Sequence, residues 1–424
     1  MKAIGMSLLD ELSWRGLIYH HTPGLAERLG EGPITGYVGF DPTARSLQVG
    51  NLVPIMLLAH LQRAGGRPIV VVGGGTGRIG DPSGKRAERP LLDDATIEEN
   101  VARQKRQLAR FLEFGAGPSD AVMVNNAAWL DSLHLVSFLR DIGKHFTVAY
   151  MLQKESVKSL MESGISYTEF SYMLLQAYDF YQLYRHHACE LQMGGSDQWG
   201  NITAGIELIR RLDGGDAHGL SAPLITTASG NKFGKSEEET IWLDPEQTSP
   251  YAFYQFWINT DDRDVESYLK MFTFEGREAI AELMERHASQ PGARGPQRTL
   301  AARVTARVHG EAAARSATDA ARVLFGELDP LEATAETWLT LASEIPSKPL
   351  PPGMGPDTPI VDLITMSGVV RSKSEARRQI RQGGITVNGR RWDDQQSKAP
   401  APLAGGYYFV SRGKKTHSIL TPAI

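Results

Sequence analysis

A single cysteine, Cys189, stands in a chain of 424 residues. No internal disulfide can form, and no multi-cysteine zinc site. No uninterrupted apolar run approaches the roughly 20 residues that a membrane-spanning helix needs. The first residues, Met1 to Leu9, lack the basic end, long apolar stretch and small-residue cleavage site of a secretory signal. These absences lead us to expect a cytoplasmic protein with no membrane contact and no zinc. A Walker-type GxxxxGK[ST] loop is also missing. Neither sign of charge dominates, with 45 Lys and Arg against 49 Asp and Glu and a net charge of −4. Bulk charge therefore names no polyanion partner, and the distribution of charge matters more. What remains is the mix of a soluble globular chain, 41% hydrophobic and 22% charged, long enough for about two to four domains.

The stretch from Tyr37 to Asn51 reads as a short strand, a polar turn and a helix starting near Gly50. Leu52, Ile55, Met56 and Ala59 follow at i, i+3, i+4 and i+7, one helical face. Pro54 is tolerated in a first helical turn. A helix that begins just past a strand aims its unpaired N–H groups and positive dipole end outward, which suits phosphate. Gly50 would let a nucleotide approach the backbone closely. After Gly65-Gly-Arg-Pro68, Ile69 to Val72 is an all-apolar run of strand type, completing a βαβ unit and implying a parallel sheet. Ligands gather beyond the carboxyl ends of such strands.

That second strand runs into Gly73-Gly-Gly-Thr-Gly77, then Asp81, Lys85 and Arg89. The turn is expected to expose backbone N–H groups, with Asp81 able to receive an ammonium group; a plain surface turn has the same composition. Ile97 to Phe114 is amphipathic, and Val122 to Val124 reads as a short strand leading to Asn125, Asn126 and Trp129. Residues 140–163 show no clean face and suit an insertion or a subunit interface. The helix around Tyr167 to Tyr184 places Tyr172, Gln176 and Asp179 at i, i+4 and i+7. A polar stripe in so apolar and aromatic a helix needs partners, either a polar core or a polar ligand. Cys189 to Met193 alternates like a strand and ends in Gly194-Gly-Ser-Asp-Gln-Trp-Gly-Asn201, a third strand–glycine–helix unit with Asp197 and Gln198 at the ligand edge. An acidic residue there suits ribose hydroxyls.

The loop from Ser229 to Ser236 carries Lys232 and Lys235, able to close over a polyphosphate; as a bare pattern a pair of solvated lysines reads the same way. From about Ser249 the chain is helical and alanine-rich to Ile345, and Pro346 to Pro359 is rich in proline. The tail concentrates Arg371, Lys373, Arg377, Arg378 and Arg381, then Arg390 and Arg391 beyond Gly383 to Gly389. Basic charge crowded into an otherwise acidic protein is the footprint of a phosphate backbone, with a solvated charged face as the alternative.

In this order the segments resemble the bacterial-type tyrosyl-tRNA synthetases, class I aminoacyl-tRNA synthetases, over nearly the whole chain. Pro42 to Asn51 takes the place of the family's HIGH signature, and Lys232-Phe-Gly-Lys-Ser236 looks like its KMSKS loop. Gly194 to Asn201 and the Tyr172, Gln176 and Asp179 helix match its tyrosine- and ribose-binding segments. The resemblance implies an α/β fold: a Rossmann-like parallel-sheet catalytic domain over 1–240, with 130–165 as the dimer interface. An α-helical domain (241–345) would face the tRNA anticodon arm, followed by a proline-rich linker (346–357). A small α+β RNA-binding domain (358–424) would complete the chain, with Arg371, Lys373, Arg377, Arg378, Arg390 and Arg391 on tRNA.

The implied reaction joins tyrosine to ATP, taken up with Mg2+, to give tyrosyl-adenylate and pyrophosphate, then passes tyrosine to the terminal adenosine of tRNA(Tyr). Lys232, Lys235 and Ser236 would act on the leaving pyrophosphate, with Lys85, Arg89, Thr43 and Gln48 as auxiliaries. Asp41, Pro42, Gly50, Asn51, Gly195, Asp197 and Lys235 would hold ATP. Tyr37 and Asp179 would meet over the substrate phenol, Tyr172, Gln176 and Asp81 would take its ammonium group, and Gln198 would lie near its carboxylate. No protein-bound metal is implied. A tryptophan-activating relative is the nearest rival, but an indole offers one donor and no hydroxyl to Tyr37 and Asp179. An RNA-binding protein on a decayed scaffold and a small-molecule nucleotidyltransferase are more distant. Two departures from the family pattern stand in the HIGH signature itself: Gln48 replaces its first histidine and Asn51 its last.

Overall fold

A six-stranded sheet sets the layout of the first of two units. The computed structural model describes residues 7–81, 93–154, 157–158, 164–230, 233–236 and 239–422. The strands are β1 (His20–His21), β2 (Thr35–Phe40), β3 (Arg67–Val72), β4 (Val122–Asn125), β5 (Cys189–Gly195) and β6 (His218–Ala222), in the order β1-β6-β5-β2-β3-β4. β2 to β6 run parallel, and β1 pairs antiparallel at the edge. From β2 the chain steps out through β3 to β4, then returns to the other side of β2 for β5 and β6. The sheet thus has its switch point between β2 and β5, where open α/β sheets bind ligands at the carboxyl ends.

The helix Leu52–Arg63 connects β2 to β3 and is buried nearly all round, including Val53, Leu57, Leu58 and His60 outside the face read from the sequence. The helices Leu8–Trp14 and Val265–Phe272 pack on it and supply the cover that the pattern alone did not reveal. His60 packs edge-on against Phe274, and burial pulls its imidazole down to about 3, with Arg15 and Arg63 acting the same way. The helix lies so close to β2 that a Cβ on Gly36 would sit 3.0 Å from Leu61 and 3.3 Å from Leu191. In the N-terminal segment the helix Leu8–Trp14 is followed by β1 and a second helix, Leu25–Glu31. Two-residue strands and two-turn helices are too short to leave a periodic signature.

The first unit comprises Met1–Thr248 and Asn259–Leu300, and the second Ser249–Ile258 and Ala301–Ile424. The region 241–345 is therefore shared between them. Within the first unit the short strands β7 (Lys235–Ser236) and β8 (Glu239–Thr240) pair as a hairpin. In the second unit β9 (Ser347–Pro349), β10 (Ile385–Val387), β11 (Arg390–Arg391), β12 (Tyr408–Arg412) and β13 (Thr416–Thr421) form a sheet in the order β11-β10-β12-β13-β9. β9 lies inside the proline-rich stretch, at the sheet edge where proline is tolerated. One core of this unit joins Ile360, Leu363, Ala376 and Ile380 to Ile385, Tyr408 and Val410. A second core joins Ala320, Val323, Trp338 and Leu341 to Leu403, Phe409 and Ile419. Residues before and after 358 thus share apolar packing.

Gly36→Val would force the helix Leu52–Arg63 off the sheet. Overpacking of this kind costs about 1–3 kcal/mol, to be read as a lowered urea midpoint at unchanged slope.

Candidate active site

Polar side chains collect where the switch point predicts. Asp179, on the helix Tyr167–His187, is 3% exposed at the carboxyl ends of β2 to β4. Its Oδ1 accepts from the Trp129 indole at 2.7 Å, and its Oδ2 from Asn126 Nδ2 at 2.9 Å. Asn126 follows β4 and binds β3's exit as well: Nδ2 also donates to Thr76 Oγ1 at 2.9 Å, and Oδ1 accepts the Gly75 N–H at 2.8 Å. Thr76 Oγ1 reaches the Asp41 carboxylate at 3.4 Å. Burial raises Asp179 to about 7; the bonds from Asn126 and Trp129 oppose the shift, and Asp41 adds to it.

Tyr37, on β2, is 2% exposed, and its hydroxyl has no hydrogen-bond partner among the described residues. Burial first, then Asp179, pushes the phenol far above its ordinary range, so it stays a neutral donor. Tyr37 stands opposite Gln192 of β5, whose Oε1 is likewise buried and unpartnered among the described residues. Gln176 Oε1, one turn before Asp179, is a third such atom. Two residues along β2, Gly39 is exposed although its strand is central in the sheet, and a Cβ there would meet nothing within 4 Å. Orphaned polar atoms beside an open glycine mark a cleft shaped for a polar ligand.

The chain of amides continues along the cleft. Gln176 Nε2 donates to Gln198 Oε1 at 3.3 Å, and Gln198 Nε2 to Asp81 at 2.8 Å and to Asp197 at 3.5 Å. Asp197 and Gln198 lie in the turn Ser196–Gln198 after β5, and a side chain on Gly195 would strike the Asp197 carboxylate. Tyr172 is buried on the same helix as Gln176.

Asp41, Pro42 and Thr43 leave β2, and Gln48, Gly50 and Asn51 follow in a turn where the Gln48 N–H donates to Asn51 Oδ1 at 2.8 Å. Gly50 is exposed and a Cβ on it would meet nothing within 4 Å. This turn pairs with the segment after β8: Val49 N–H donates to Ile241 O, Leu243 N–H to Leu47 O, and Gly234 packs against Val49. Lys85, Arg89 and Lys232 lie outside the described residues, as do the side chains of Lys235 and Ser236.

One expectation is corrected. The N–H groups of the Gly73–Gly77 turn do not face outward: Gly73 donates to Phe40 O, Gly74 to Val72 O, Gly75 to Asn126 and Gly77 to Gly73 O. Its glycines allow close packing instead, since side chains there would strike Asp41, Asn125 and Leu130. Asn126 and Trp129, which hold Asp179, were visible in the sequence only as the end of a strand; their offset from the Asp179 helix carries no periodic signal.

In the second unit, Arg371, Lys373, Arg377, Arg378, Arg390 and Arg391 are all exposed. Buried Ala376 and Ile380 turn the opposite face of the helix Lys373–Arg381 outward, and Arg391 lies against Gly383 just past it. Helix and hairpin thus form one basic surface, tempered by Glu375, which pairs with Arg412.

The family described as class I tRNA synthetases (W and Y) matches residues 29–326, and the tyrosine--tRNA ligase SYY-like C-terminal domain matches 340–420. The tyrosine--tRNA ligase of Anaeromyxobacter dehalogenans (strain 2CP-1) is 55% identical over 98% of this chain and 99% of its own. That of Bacillus caldotenax is 50% identical over the same shares. Among solved structures, a C-terminally truncated Aspergillus nidulans mitochondrial tyrosyl-tRNA synthetase superposes with a TM-score of 0.69 at 32% identity, covering 76% of this chain and 95% of its own.

A carboxyl group raised to about 7 holds its proton in the folded chain between about pH 4 and 7, where the unfolded chain has released it. Its contribution to stability is full below pH 4 and is lost as the pH rises to 7. Relative to Asp179→Asn, the wild type should therefore lose up to about 1.4 kcal/mol per pH unit across that window, measured by urea denaturation at each pH.

Proposed function

The chain belongs to the tyrosine--tRNA ligases, class I tRNA synthetases of the W and Y group, and we propose a role for each part of its cleft. It activates tyrosine with ATP and charges tRNA(Tyr). In our assignment the substrate phenol enters between Tyr37 and Asp179, donating to the carboxylate and accepting from the tyrosine hydroxyl. The observation that carries this reading is the buried Tyr37 hydroxyl, which has no partner among the described residues. A site built to pair a hydroxyl rejects the analogue lacking it, a principle for which this enzyme family is itself the usual example. Phenylalanine would leave the Tyr37 hydroxyl unpaired and bring Asp179 no further donor, and an indole would leave Tyr37 unpaired too.

Tyr172, Gln176 and Asp81 take the ammonium group, with Gln198 near the carboxylate. The nucleotide, as MgATP, lies along Asp41, Pro42, Gly50 and Asn51, with its ribose at Asp197 beside Gly195. Thr43, Gln48, Lys85 and Arg89 assist at the phosphates. The tyrosine carboxylate attacks the α-phosphorus, the bond to the bridging oxygen breaks, and pyrophosphate leaves toward Lys232, Lys235 and Ser236. A terminal ribose hydroxyl of tRNA then attacks the activated carbonyl and releases AMP. Neither step needs an enzyme nucleophile, so positioning and fixed charge suffice.

A cavity of about 1090 Å³ borders Asp197, walled by His20, Tyr150, Lys154, Trp199 and Arg211. Aromatic faces and cations beside the ribose suit a single-stranded nucleic-acid end, and we assign it to the 3′ end of tRNA. The basic surface of the second unit takes another part of the same tRNA, and the helical region 241–345 faces its anticodon arm. Leu135 and Val136, 71% and 78% exposed on one short helix, support a homodimer through 130–165. No helix among the described residues is long and apolar enough to cross a membrane; we assign the protein to the cytoplasm.

Tyr37→Phe removes an unpaired buried hydroxyl, so stability should hold or rise while discrimination for tyrosine over phenylalanine falls by about tenfold. Tyrosine- and phenylalanine-dependent ATP–pyrophosphate exchange measures it, and unchanged discrimination would remove Tyr37 from the site. The shared core across residue 358 makes truncation a poor test of the tail. Arg377→Glu with Arg390→Glu should instead leave exchange intact and weaken tRNA charging, with a shallower salt dependence.

A further inference from the structure

The helix Asp94–Leu108 turns a polar face inward. Asn100, Gln104 and Gln107 stand at i, i+4 and i+7 and so share that face. Asn100 and Gln104 are 2% and 1% exposed, a costly position for amides unless they are paired. Their partners belong to the loop that leaves β2. Asn100 Nδ2 donates to the Pro42 carbonyl at 2.8 Å. Gln104 Nε2 lies 3.5 and 3.4 Å from the carbonyls of Asp41 and Ala44, weaker contacts. Gln107 accepts the Leu47 N–H at 2.9 Å and donates to Ser46 Oγ at 2.9 Å.

Ser46 completes the arrangement. It accepts the Asp244 N–H at 3.0 Å and donates to the Leu47 carbonyl at 2.8 Å. Residues 41–47 adopt no regular structure, and apart from the Leu47 carbonyl, which accepts from Leu243, their backbone groups lie outside any helix or sheet ladder among the described residues. The neighbouring helix supplies partners in its place.

We propose that Asn100, Gln104 and Gln107 are positioning residues for the ATP half of the site. They give the Asp41–Leu47 loop the shape in which Thr43 and Gln48 meet the phosphates, and they touch no reacting atom. The inference rests on the assignment of that loop to ATP made above. A loop held in its binding shape beforehand spares the ordering cost when ligand arrives. Asn126 and Trp129 hold the tyrosine half separately, so loss of Asn100 or Gln107 should fall on one substrate and not on both.

The test is tyrosine-dependent ATP–pyrophosphate exchange on the full chain, with KM measured for each substrate. Asn100→Ala removes one hydrogen bond and should raise KM for ATP about fivefold; Gln107→Leu removes two and should raise it tenfold or more. KM for tyrosine should stay within about twofold of wild type, since no bond to the tyrosine half is lost. Gln62→Leu is the control. It also removes a set of side-chain hydrogen bonds, to Glu113 and Ser119, at the opposite end of the helix Leu52–Arg63 from the loop, and it should leave both constants unchanged. Asn100→Ala carries the test should Gln107→Leu not fold. Equal rises for both substrates, no rise for ATP, or the same rise in Gln62→Leu would overturn the proposal. A wild type without exchange would overturn it together with the activity on which it rests, an outcome distinct from altered variants alone.

Discussion

A carboxylate buried at the carboxyl end of a parallel sheet is the constraint to which much of the first unit answers. Asp179 can stand there only because Asn126 and Trp129 donate to its two oxygens. Those two residues are brought within reach by the end of β4, and Asn126 also ties down β3's exit through Gly75 and Thr76. Three segments far apart in sequence thus converge on one acid. The glycines of the β3 turn follow from the same requirement, for bulkier residues would displace Asn125, Leu130 and Asp41. Even so burial holds the acid near 7. In the proposed assignment a substrate phenol brings a further donor.

The two halves of the cleft are held by different means. The half assigned above to the amino acid relies on side chains fixed by the sheet and by the helix Tyr167–His187. The half assigned to the nucleotide is a loop, and its order comes from outside: the inward amides of the helix Asp94–Leu108 on one side, and the segment after β8 on the other. Because Val49 bonds to Ile241 and Leu243 to Leu47, the turn near Gly50 and the exit of the lysine loop are one piece of backbone pairing. A shift in either must be felt by the other. That is a physical basis for concerted behaviour of two segments 185 residues apart in sequence (49 against 234).

Much of this was legible in the sequence. The βαβ opening, the glycine turn after β5 and the Tyr172, Gln176 and Asp179 stripe each repeat at a spacing that one face of a helix or one strand end imposes. What escaped has a common cause. Asn100, Gln104 and Gln107 also share a face, yet polar residues on an amphipathic helix are ordinarily read as its wet side. Only the loop they hold reveals that they point inward. Asn126 and Trp129 stand on an irregular exit where no period applies, and β9 was hidden by the prolines that an edge strand tolerates.

The departures in the opening turn can now be weighed in the same terms. Asn51 accepts the Gln48 N–H, and Gln48 itself pairs across to Trp242. Asn51 and the pairing to Trp242 thus help to set the backbone of the turn, and Gln48 is exposed. Glutamine in place of histidine there changes what is offered to a ligand. An amide still donates a neutral hydrogen bond to a phosphate oxygen, but it carries no imidazolium charge. In the proposed assignment, the positive charge at that end then falls to Lys85, Arg89 and the two lysines of the loop. The turn keeps the task of shape, and the cationic loops take the task of charge.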